Sequence, residues 1–139
     1  MTPAEISAEA RSWLGVQWRH QGRNRAGVDC VGLLIQVGAA FGIACEDMKG
    51  YAREPHDTTF LHHLRKYLTP APAGDTSEGT VGIFRQSRFP CHVGIFSEKN
   101  GYVTLINARA DHGLVVEELF QDNSNSLHLV ECRRFPGAT

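Results

Sequence analysis

A cysteine at the start of an apolar segment is the first residue in this sequence that could carry chemistry. Cys30 directly follows Asp29, and the segment after it reads VGLLIQVGAAFG. If a helix begins here, its first turn has unpaired N–H groups and the positive end of the helix dipole, which both favour a thiolate over a thiol. A cysteine in that position can have a pKa well below about 8.5. We therefore predict that Cys30 is a nucleophile; a buried cysteine without a chemical role is the alternative.

A nucleophilic cysteine needs a base, and the base needs a group that orients it. Of the seven histidines, His92 starts a strand-like segment, HVGIF, and Asn107 lies in the next one, LINA. The EKNG between them contains Asn-Gly, which is typical of a hairpin turn, so the two segments are expected to pair. The sequence thus predicts a Cys-His-Asn site of Cys30, His92 and Asn107. A structural histidine beside a structural asparagine is the alternative, and His112 is the second choice for the orienting role.

The same reasoning predicts the geometry and the charge of this site. We expect the Cys30 sulfur to lie within roughly 4–5 Å of a ring nitrogen of His92. The helix dipole favours the thiolate and the two charges favour each other, so the pair is expected to be largely thiolate–imidazolium near neutral pH. Cys91 precedes His92, and adjacent strand residues point to opposite faces. Cys91 is therefore expected to face away from the site, which also argues against a shared metal site.

Three helices are predicted in the first half of the chain. The first begins at Pro3, with Thr2 as its N-cap, and ends at Gly15. The second begins after Asp29 and is apolar on nearly every side through Phe41, which indicates a buried central helix. Its glycines are expected to allow a close approach of neighbouring backbone. The third helix is amphipathic and covers residues 57–68.

The second half of the chain has the pattern of strands. The predicted strands cover residues 80–85, 91–97, 101–108, 113–119 and 127–135. Helices followed by a run of strands predict an α+β fold. In this fold, N-terminal helices, including the central helix that starts at Cys30, pack on a C-terminal antiparallel sheet of about five strands. Residues 70–79 are a short connector rather than a boundary, so residues 1–139 are predicted to form one domain.

Composition argues against several classes of function. With a net charge of −1, the chain has no basic face, so nucleic acid is not an expected partner. No apolar run is long enough to span a bilayer. The N-terminal residues are polar and acidic, unlike a signal peptide, so we expect action in the cytoplasm or export by another route. The four cysteines form no C-x-x-C pair, so neither a zinc site nor a disulfide framework is expected, and no cofactor is predicted.

Four segments, in this order and spacing, resemble the NlpC-type cysteine peptidases, a permuted papain-like family that cuts bacterial cell-wall peptides. DCVGL (29–33) matches the motif around the family's cysteine, and HVGI (92–95) matches its histidine strand. EGTVGIF (78–84) resembles the preceding LGDLLLF strand, and LINA stands where the family usually has LIHA. The loop LGVQWRHQGRNRAGVDC closely resembles the phage-tail branch of the family. The resemblance covers about residues 13–116.

The resemblance implies hydrolysis, through a thioester, of D-γ-glutamyl–diamino acid bonds in peptidoglycan stems. The implied partners are a peptidoglycan peptide and phage tail-tip proteins, and the implied place of action is the periplasmic cell wall, reached from the cytoplasm or with a virion tail. The implied substrate-binding residues are Trp18, His20, Arg23 and Asp29. Trp18 stands where the family has tyrosine, and an indole N–H cannot accept a hydrogen bond. A catalytically weak or inactive tail-assembly module of the same fold is therefore one alternative, and an amidase or acyltransferase on another substrate is the other.

Overall fold

The computed structural model describes residues 1–122 and 127–138. The helices are α1 (Pro3–Arg11), α2 (Cys30–Ala40) and α3 (Thr59–Tyr67). The strands are β1 (Arg23–Asn24), β2 (Gly27–Val28), β3 (Thr69–Pro70), β4 (Val81–Arg85), β5 (Pro90–Lys99), β6 (Tyr102–Arg109), β7 (Leu114–Leu119) and β8 (His128–Arg134). In these two described ranges, no helix combines the length and the apolar character needed to cross a bilayer.

The first two helices begin at the caps that the sequence predicts. Thr2 accepts a hydrogen bond from the Glu5 N–H at 3.1 Å, and the Glu5 carboxylate accepts one from the Thr2 N–H at 3.3 Å. Together these bonds form a capping box at the start of α1. Asp29 caps α2 by accepting a hydrogen bond from the Gly32 N–H at 2.9 Å. The cap fixes the position of Cys30 as the first helical residue of α2.

α2 is the central helix, and two of its glycines allow neighbouring segments to approach closely. A Cβ on Gly32 would lie 2.0 Å from the carbonyl oxygen of Gly22, and one on Gly38 would lie 1.8 Å from the Tyr67 hydroxyl. The predicted close approach of neighbouring backbone is confirmed at Gly32, whereas at Gly38 the close neighbour is a side chain. α1 ends at Arg11, so its predicted end at residue 15 is wrong; turns rather than helix carry the chain onward from there.

The main sheet has six antiparallel strands in the order β3-β8-β4-β5-β6-β7, and β1 and β2 form a separate two-stranded ribbon. The five predicted strands correspond to β4 through β8, and the predicted α+β fold class is confirmed. The sixth strand, β3, has only two residues, too few for a periodic pattern. β5 and β6 are joined at Asn100 and Gly101, whose φ angles of 55° and 83° are those of the tight hairpin turn that Asn-Gly predicts.

The core places the N-terminus of α2 beside the sheet. α2 packs against β5 and β6, and its buried side chains share one cluster with Val93, Ile95 and Ile106. Residues of the opposite alternation, such as Phe96 and Leu105, belong to a second cluster. Both faces of β5 and β6 are therefore covered. This double packing holds the strands that carry His92 and Asn107 in fixed positions relative to α2.

Candidate functional site

An open cavity with a volume of about 540 Å³ lies at the N-terminus of α2. Cys30 and His92 both line it. Its walls come from the loop before α2, residues 51–54, the start of β5, and the end of β6 with the turn after it. The fold therefore brings the predicted nucleophile and the predicted base to one cavity, although they belong to different elements.

Cys30 as a whole residue is partly exposed, but its sulfur is removed from solvent. Burial of the sulfur raises its pKa to about 12, and the Asp29 carboxylate adds to the increase. The backbone N–H groups of Val93 and Val31 oppose the increase because they favour the thiolate. The Val31 N–H belongs to the first turn of α2, where the sequence predicts such an effect, but burial outweighs it. The thiol is therefore protonated at neutral pH in this structure.

Asn107 holds the imidazole of His92. The Nε2 atom of His92 lies 2.7 Å from Oδ1 of Asn107, and the Asn107 side chain is fully buried. An amide oxygen only accepts hydrogen bonds, so Nε2 carries the proton and Nδ1 is the unprotonated nitrogen that can act as a base. Gly94 makes room for this arrangement, because a Cβ there would lie 3.1 Å from the Asn107 Cβ and 2.8 Å from Cδ1 of Leu105.

Burial also determines the charge of His92. It lowers the pKa of the imidazole to about 4, while the hydrogen bond to Asn107 opposes the decrease and the positive charge of Arg109 adds to it. With the raised pKa of Cys30, this makes a neutral thiol and a neutral imidazole the stable pair at neutral pH. The prediction of a thiolate–imidazolium pair is wrong for this structure. It considered the helix dipole and the attraction of opposite charges, but not the removal of both groups from water.

Polar side chains continue from Asn107 through Glu118 to Arg109 and Asp111, and the last two also line the cavity. Its Nδ2 donates to Oε2 of Glu118 at 3.0 Å. Nη1 of Arg109 lies 3.3 Å and 3.4 Å from the two oxygens of Glu118. Arg109 also donates to both oxygens of Asp111, at 2.9 Å and 2.8 Å. Since Arg109 is only 4% exposed, its charge is compensated inside the protein.

Cys91 also lines the cavity, so the prediction that it faces away from the site is wrong. His92 pairs with Phe84 whereas Pro90 pairs with Arg85, which leaves Cys91 as an extra residue in β5. This is a β-bulge, and it interrupts the alternation on which the prediction rested. Within residues 1–122 and 127–138, no three His, Cys, Asp or Glu side chains are arranged to hold a metal ion.

Asp29 joins the start of α2 to two loops. Its carboxylate accepts hydrogen bonds from the N–H groups of Gln21 at 2.8 Å and Gly32 at 2.9 Å, from the Arg23 guanidinium at 3.0 Å, and from the Tyr51 hydroxyl. Asp29 is 3% exposed, so these four donors compensate a buried charge. Arg23 is also bound to both oxygens of Asp47 at 3.1 Å. The loop before α2 and the loop with Tyr51 are therefore fixed relative to Cys30.

The mouth of the cavity is aromatic and carries Arg53 beside Glu54. The rings of Trp18 and His20 are stacked, with centroids 6.3 Å apart. The rings of His20 and Tyr51 are nearly perpendicular, with centroids 5.4 Å apart. The Arg53 guanidinium lies 4.7 Å from the Trp18 ring centroid, in the geometry of a cation–π contact. All five residues line the cavity.

Comparison with known proteins identifies the fold. No protein-family model matches the chain, and no curated protein matches it in sequence. A Staphylococcus aureus protein of the NLP/P60 family, described as similar to lipoprotein, has a TM-score of 0.67 at 18% identity, over 96% of this chain and 41% of that one. The NlpC/p60 domain of the peptidoglycan hydrolase SagA has a TM-score of 0.62 at 17% identity, over 94% of this chain and 98% of that one. The chain has the NlpC/p60 fold.

Within this fold the predicted site residues occupy three positions. The residues that line the cavity are Cys30, His92, Trp18, His20 and Asp29. Asn107 and Arg23 lie behind the wall, bonded to His92 and Asp29. His112 is exposed in the turn after β6, and Asn107 makes the bond to the imidazole. The catalytic and substrate-binding roles of all these residues stay predictions.

Sequence reasoning missed four residues of the site. Tyr51 and Arg53 lie between the second and the third predicted helix, and nothing in the spacing of that segment indicates that it reaches the start of α2. Glu118 and Arg109 had a usable signal, because the pairing of β6 with β7 puts both on the face of Asn107. Pairing the alternating segments LINAR and LVVEEL as neighbouring strands would have predicted that Glu118 and Arg109 lie beside Asn107.

Proposed function

We propose that this protein is a cysteine peptidase of the NlpC type that hydrolyses the peptide stems of bacterial peptidoglycan. The observation that carries the proposal is the 2.7 Å contact of His92 Nε2 with Asn107 Oδ1, on the wall of a cavity that Cys30 also lines. An oriented imidazole and a cysteine at a helix N-terminus are the parts that acyl transfer through a thioester requires. The NlpC/p60 fold, which a peptidoglycan hydrolase shares, supports the substrate class.

In the proposed reaction Cys30 is the nucleophile and His92 the acid–base residue. As the sulfur bonds to the scissile carbonyl carbon, the thiol proton passes to Nδ1 of His92. The tetrahedral intermediate then breaks its C–N bond, and the imidazolium gives that proton to the leaving amine. A thioester remains on Cys30. Water attacks the thioester and loses a proton to His92, which protonates the departing sulfur as the carboxylic acid is released.

The neutral state of the pair affects the timing of proton transfer. Because burial raises the pKa of Cys30 and lowers that of His92, the proton moves during the attack and not before it. The oxyanion develops in the same step. We expect the N–H of Cys30, in the first turn of α2, to stabilise it together with a donor from the loop of residues 18–28.

One cationic side chain of the cavity is open to bind a carboxylate of the peptide, in a lining that also holds Glu54 and Asp111. Two arginines line the cavity, and Arg109 is already paired with two carboxylates. Arg53, held over Trp18, is therefore the cation we assign to a stem carboxylate. The proposal puts a D-γ-glutamyl–diamino acid bond at Cys30, with the stem along the rings of Trp18 and His20. Arg23 and Asp29 support this surface from behind.

We also propose that a phage or prophage tail carries the protein. The support is the sequence of residues 14–30, which resembles the phage-tail branch of the NlpC-type peptidases. A tail would bring the enzyme to the periplasmic cell wall. Mass spectrometry of purified virions should then detect the protein, whereas its presence in the lysate and absence from virions would contradict this part of the proposal.

Digestion of purified peptidoglycan tests the activity. The wild type should release stem fragments that a Cys30→Ser variant does not release, and muropeptide mass spectrometry should locate the cut at the D-γ-glutamyl bond. Cys45→Ser is the matched control, because Cys45 is partly exposed but does not line the cavity. A cut at the amide that joins the stem to the glycan would indicate an amidase. The same fragments from Cys30→Ser would exclude Cys30 as nucleophile.

A non-catalytic tail-assembly module of the same fold is the second candidate. Two observations favour it: Trp18 brings no hydroxyl to the cavity, and burial raises the pKa of the Cys30 thiol. If it is correct, wild-type protein and Cys30→Ser bind peptidoglycan or tails equally and neither releases fragments.

A further inference from the structure

The side of Asn107 that faces away from His92 is bound to a carboxylate that the proposed mechanism does not use. We propose that Glu118 is a positioning residue, which holds the Asn107 amide with its oxygen toward the imidazole and so fixes the tautomer of His92. Its predicted effect on turnover rests on the proposed function. Its effect on the tautomer does not.

The orientation of the amide decides which ring nitrogen is basic. With Oδ1 toward the ring, Nε2 must carry the proton and Nδ1 is unprotonated. With the amide turned by 180°, Nδ2 would face the ring and require an unprotonated Nε2. Nδ1 would then carry the proton and could not accept one from Cys30. The two ends of an amide are almost the same size, so packing alone distinguishes them poorly.

Glu118 supplies the chemical difference that packing lacks. An ionised carboxylate accepts hydrogen bonds and cannot donate them, so it binds the NH₂ end of the amide and repels the oxygen. The 3.0 Å contact runs from Nδ2 of Asn107 to Oε2 of Glu118. The carbonyl of Leu105 is a longer acceptor for the same Nδ2, at 3.5 Å. It belongs to the backbone of β6, so it remains when the side chain of Glu118 is changed.

The strand register and a buried arginine hold Glu118 in place. Asn107 pairs with Val116 and Leu105 pairs with Glu118, so Glu118 is a diagonal neighbour of Asn107 on the same face of the sheet. Arg109, two residues after Asn107, contacts both oxygens of Glu118 at 3.3 Å and 3.4 Å. These contacts hold the carboxylate beside Asn107, where an ionised carboxylate has no proton to donate to the oxygen of a turned amide.

The tautomer of His92 can be measured directly by long-range ¹H–¹⁵N correlation of the imidazoles at neutral pH. In the wild type, His92 should be the Nε2–H tautomer. In Glu118→Ala the ratio of Nε2–H to Nδ1–H should fall roughly tenfold or more, the effect of losing one charge-assisted hydrogen bond. Glu118→Gln keeps an oxygen acceptor at the same place and should restore most of the ratio.

Two further variants make the test decisive. Glu117→Gln removes a neighbouring carboxylate that is bonded to Arg11 and Thr104 instead, so it should leave the His92 tautomer unchanged. If Glu118→Ala does not fold, Glu118→Met fills similar space without an acceptor and answers the same question. An unchanged tautomer in the folded variant without an acceptor would overturn the proposal. A similar change in Glu117→Gln would also overturn it, because the effect would then not be specific.

Activity gives an independent second readout. On peptidoglycan, Glu118→Ala should lower kcat roughly tenfold with little change in KM, since the substrate surface is intact and only the base is misplaced. A wild type without hydrolytic activity would refute the proposed function, yet the tautomer measurement would still decide the role of Glu118. A tautomer change with an unchanged kcat would show that His92 is not the base.

Discussion

Acid should destabilise this protein through His92 well above the pH at which its carboxylates titrate. Burial lowers the pKa of His92 from 6.5 to about 4, whereas the imidazole of the unfolded chain titrates near 6.5. Between these values the unfolded state binds a proton that the folded state does not, so the free energy of unfolding must decrease as the pH falls. In a thiolate–imidazolium pair the pKa of the imidazole would be raised. The free energy of unfolding would then increase, not decrease, as the pH falls.

The size of the effect follows from the same two values. Over the whole interval from pH 6.5 to 4 the free energy of unfolding decreases by about 3 kcal/mol, and about 2 kcal/mol of this is lost between pH 7.5 and pH 5. Carboxyl groups whose pKa is lowered by hydrogen bonds add their own loss only below about pH 4.5. These groups are Asp57, Asp75, Asp111, Glu117 and Glu131.

Urea unfolding at pH 5.0, 5.5, 6.5 and 7.5 measures how the free energy of unfolding changes with pH. His92→Gln keeps a group that can bond to Asn107 but does not titrate, so its free energy of unfolding should be nearly flat over this range. His62→Gln is the control, because His62 is exposed on α3 and its replacement removes an imidazole without changing the cavity. A wild type that gains stability toward pH 5, or a slope that His92→Gln leaves intact, would refute the neutral pair.

Three other substitutions or reactions test the rest of the structure. At pH 8, iodoacetamide should modify Cys30 at least about tenfold more slowly than Cys45, because the Cys30 pKa is about 12; peptide mass spectrometry would reveal a faster Cys30, and thus an acidic thiol. Asp29→Ala should lower the free energy of unfolding by about 3 kcal/mol, since it removes the cap of α2 and one of the two carboxylates bonded to Arg23; a loss in urea titrations below about 1 kcal/mol would contradict this. Tyr67→Phe should raise the melting temperature, because the buried hydroxyl has no hydrogen-bond partner among the described residues, and it should partly rescue Gly38→Ala, whose Cβ would otherwise meet that hydroxyl at 1.8 Å.

Local patterns were sufficient for most of the fold. The caps at Thr2 and Asp29 and the turn at Asn100 depend on a few consecutive residues, and the structure confirms each of them. The two-residue strand β3 and the end of α1 at Arg11 were not predicted correctly. A strand that short has no period, and Gly15, which has a positive φ, is the end of a turn rather than of the helix.

The parts of the site that sequence reasoning missed depend on packing between distant segments. The β-bulge at Cys91 comes from the different registers of β4 and β5 on either side of it. The charge state of Cys30 depends on how completely β5 and its neighbours exclude water. Tyr51 reaches Asp29 from a loop without regular structure. None of these features produces a periodic pattern in the sequence from which it could be predicted.

The proposed chemistry depends on two residues that different elements carry, and a separate carboxylate holds each one. On the α2 side, Asp29 ties the first turn of the helix to the loops around it, and so fixes Cys30. On the sheet side, Glu118 binds the amide of Asn107, which holds the His92 ring. The two networks share no hydrogen bond among those described. Substitution of Asp29 should therefore alter the reactivity of the thiol and leave the His92 tautomer unchanged. Substitution of Glu118 should change the tautomer and leave the reactivity of the thiol unchanged. Alkylation and tautomer measurements on the same two variants would show whether the position of the nucleophile and the orientation of the base are controlled independently.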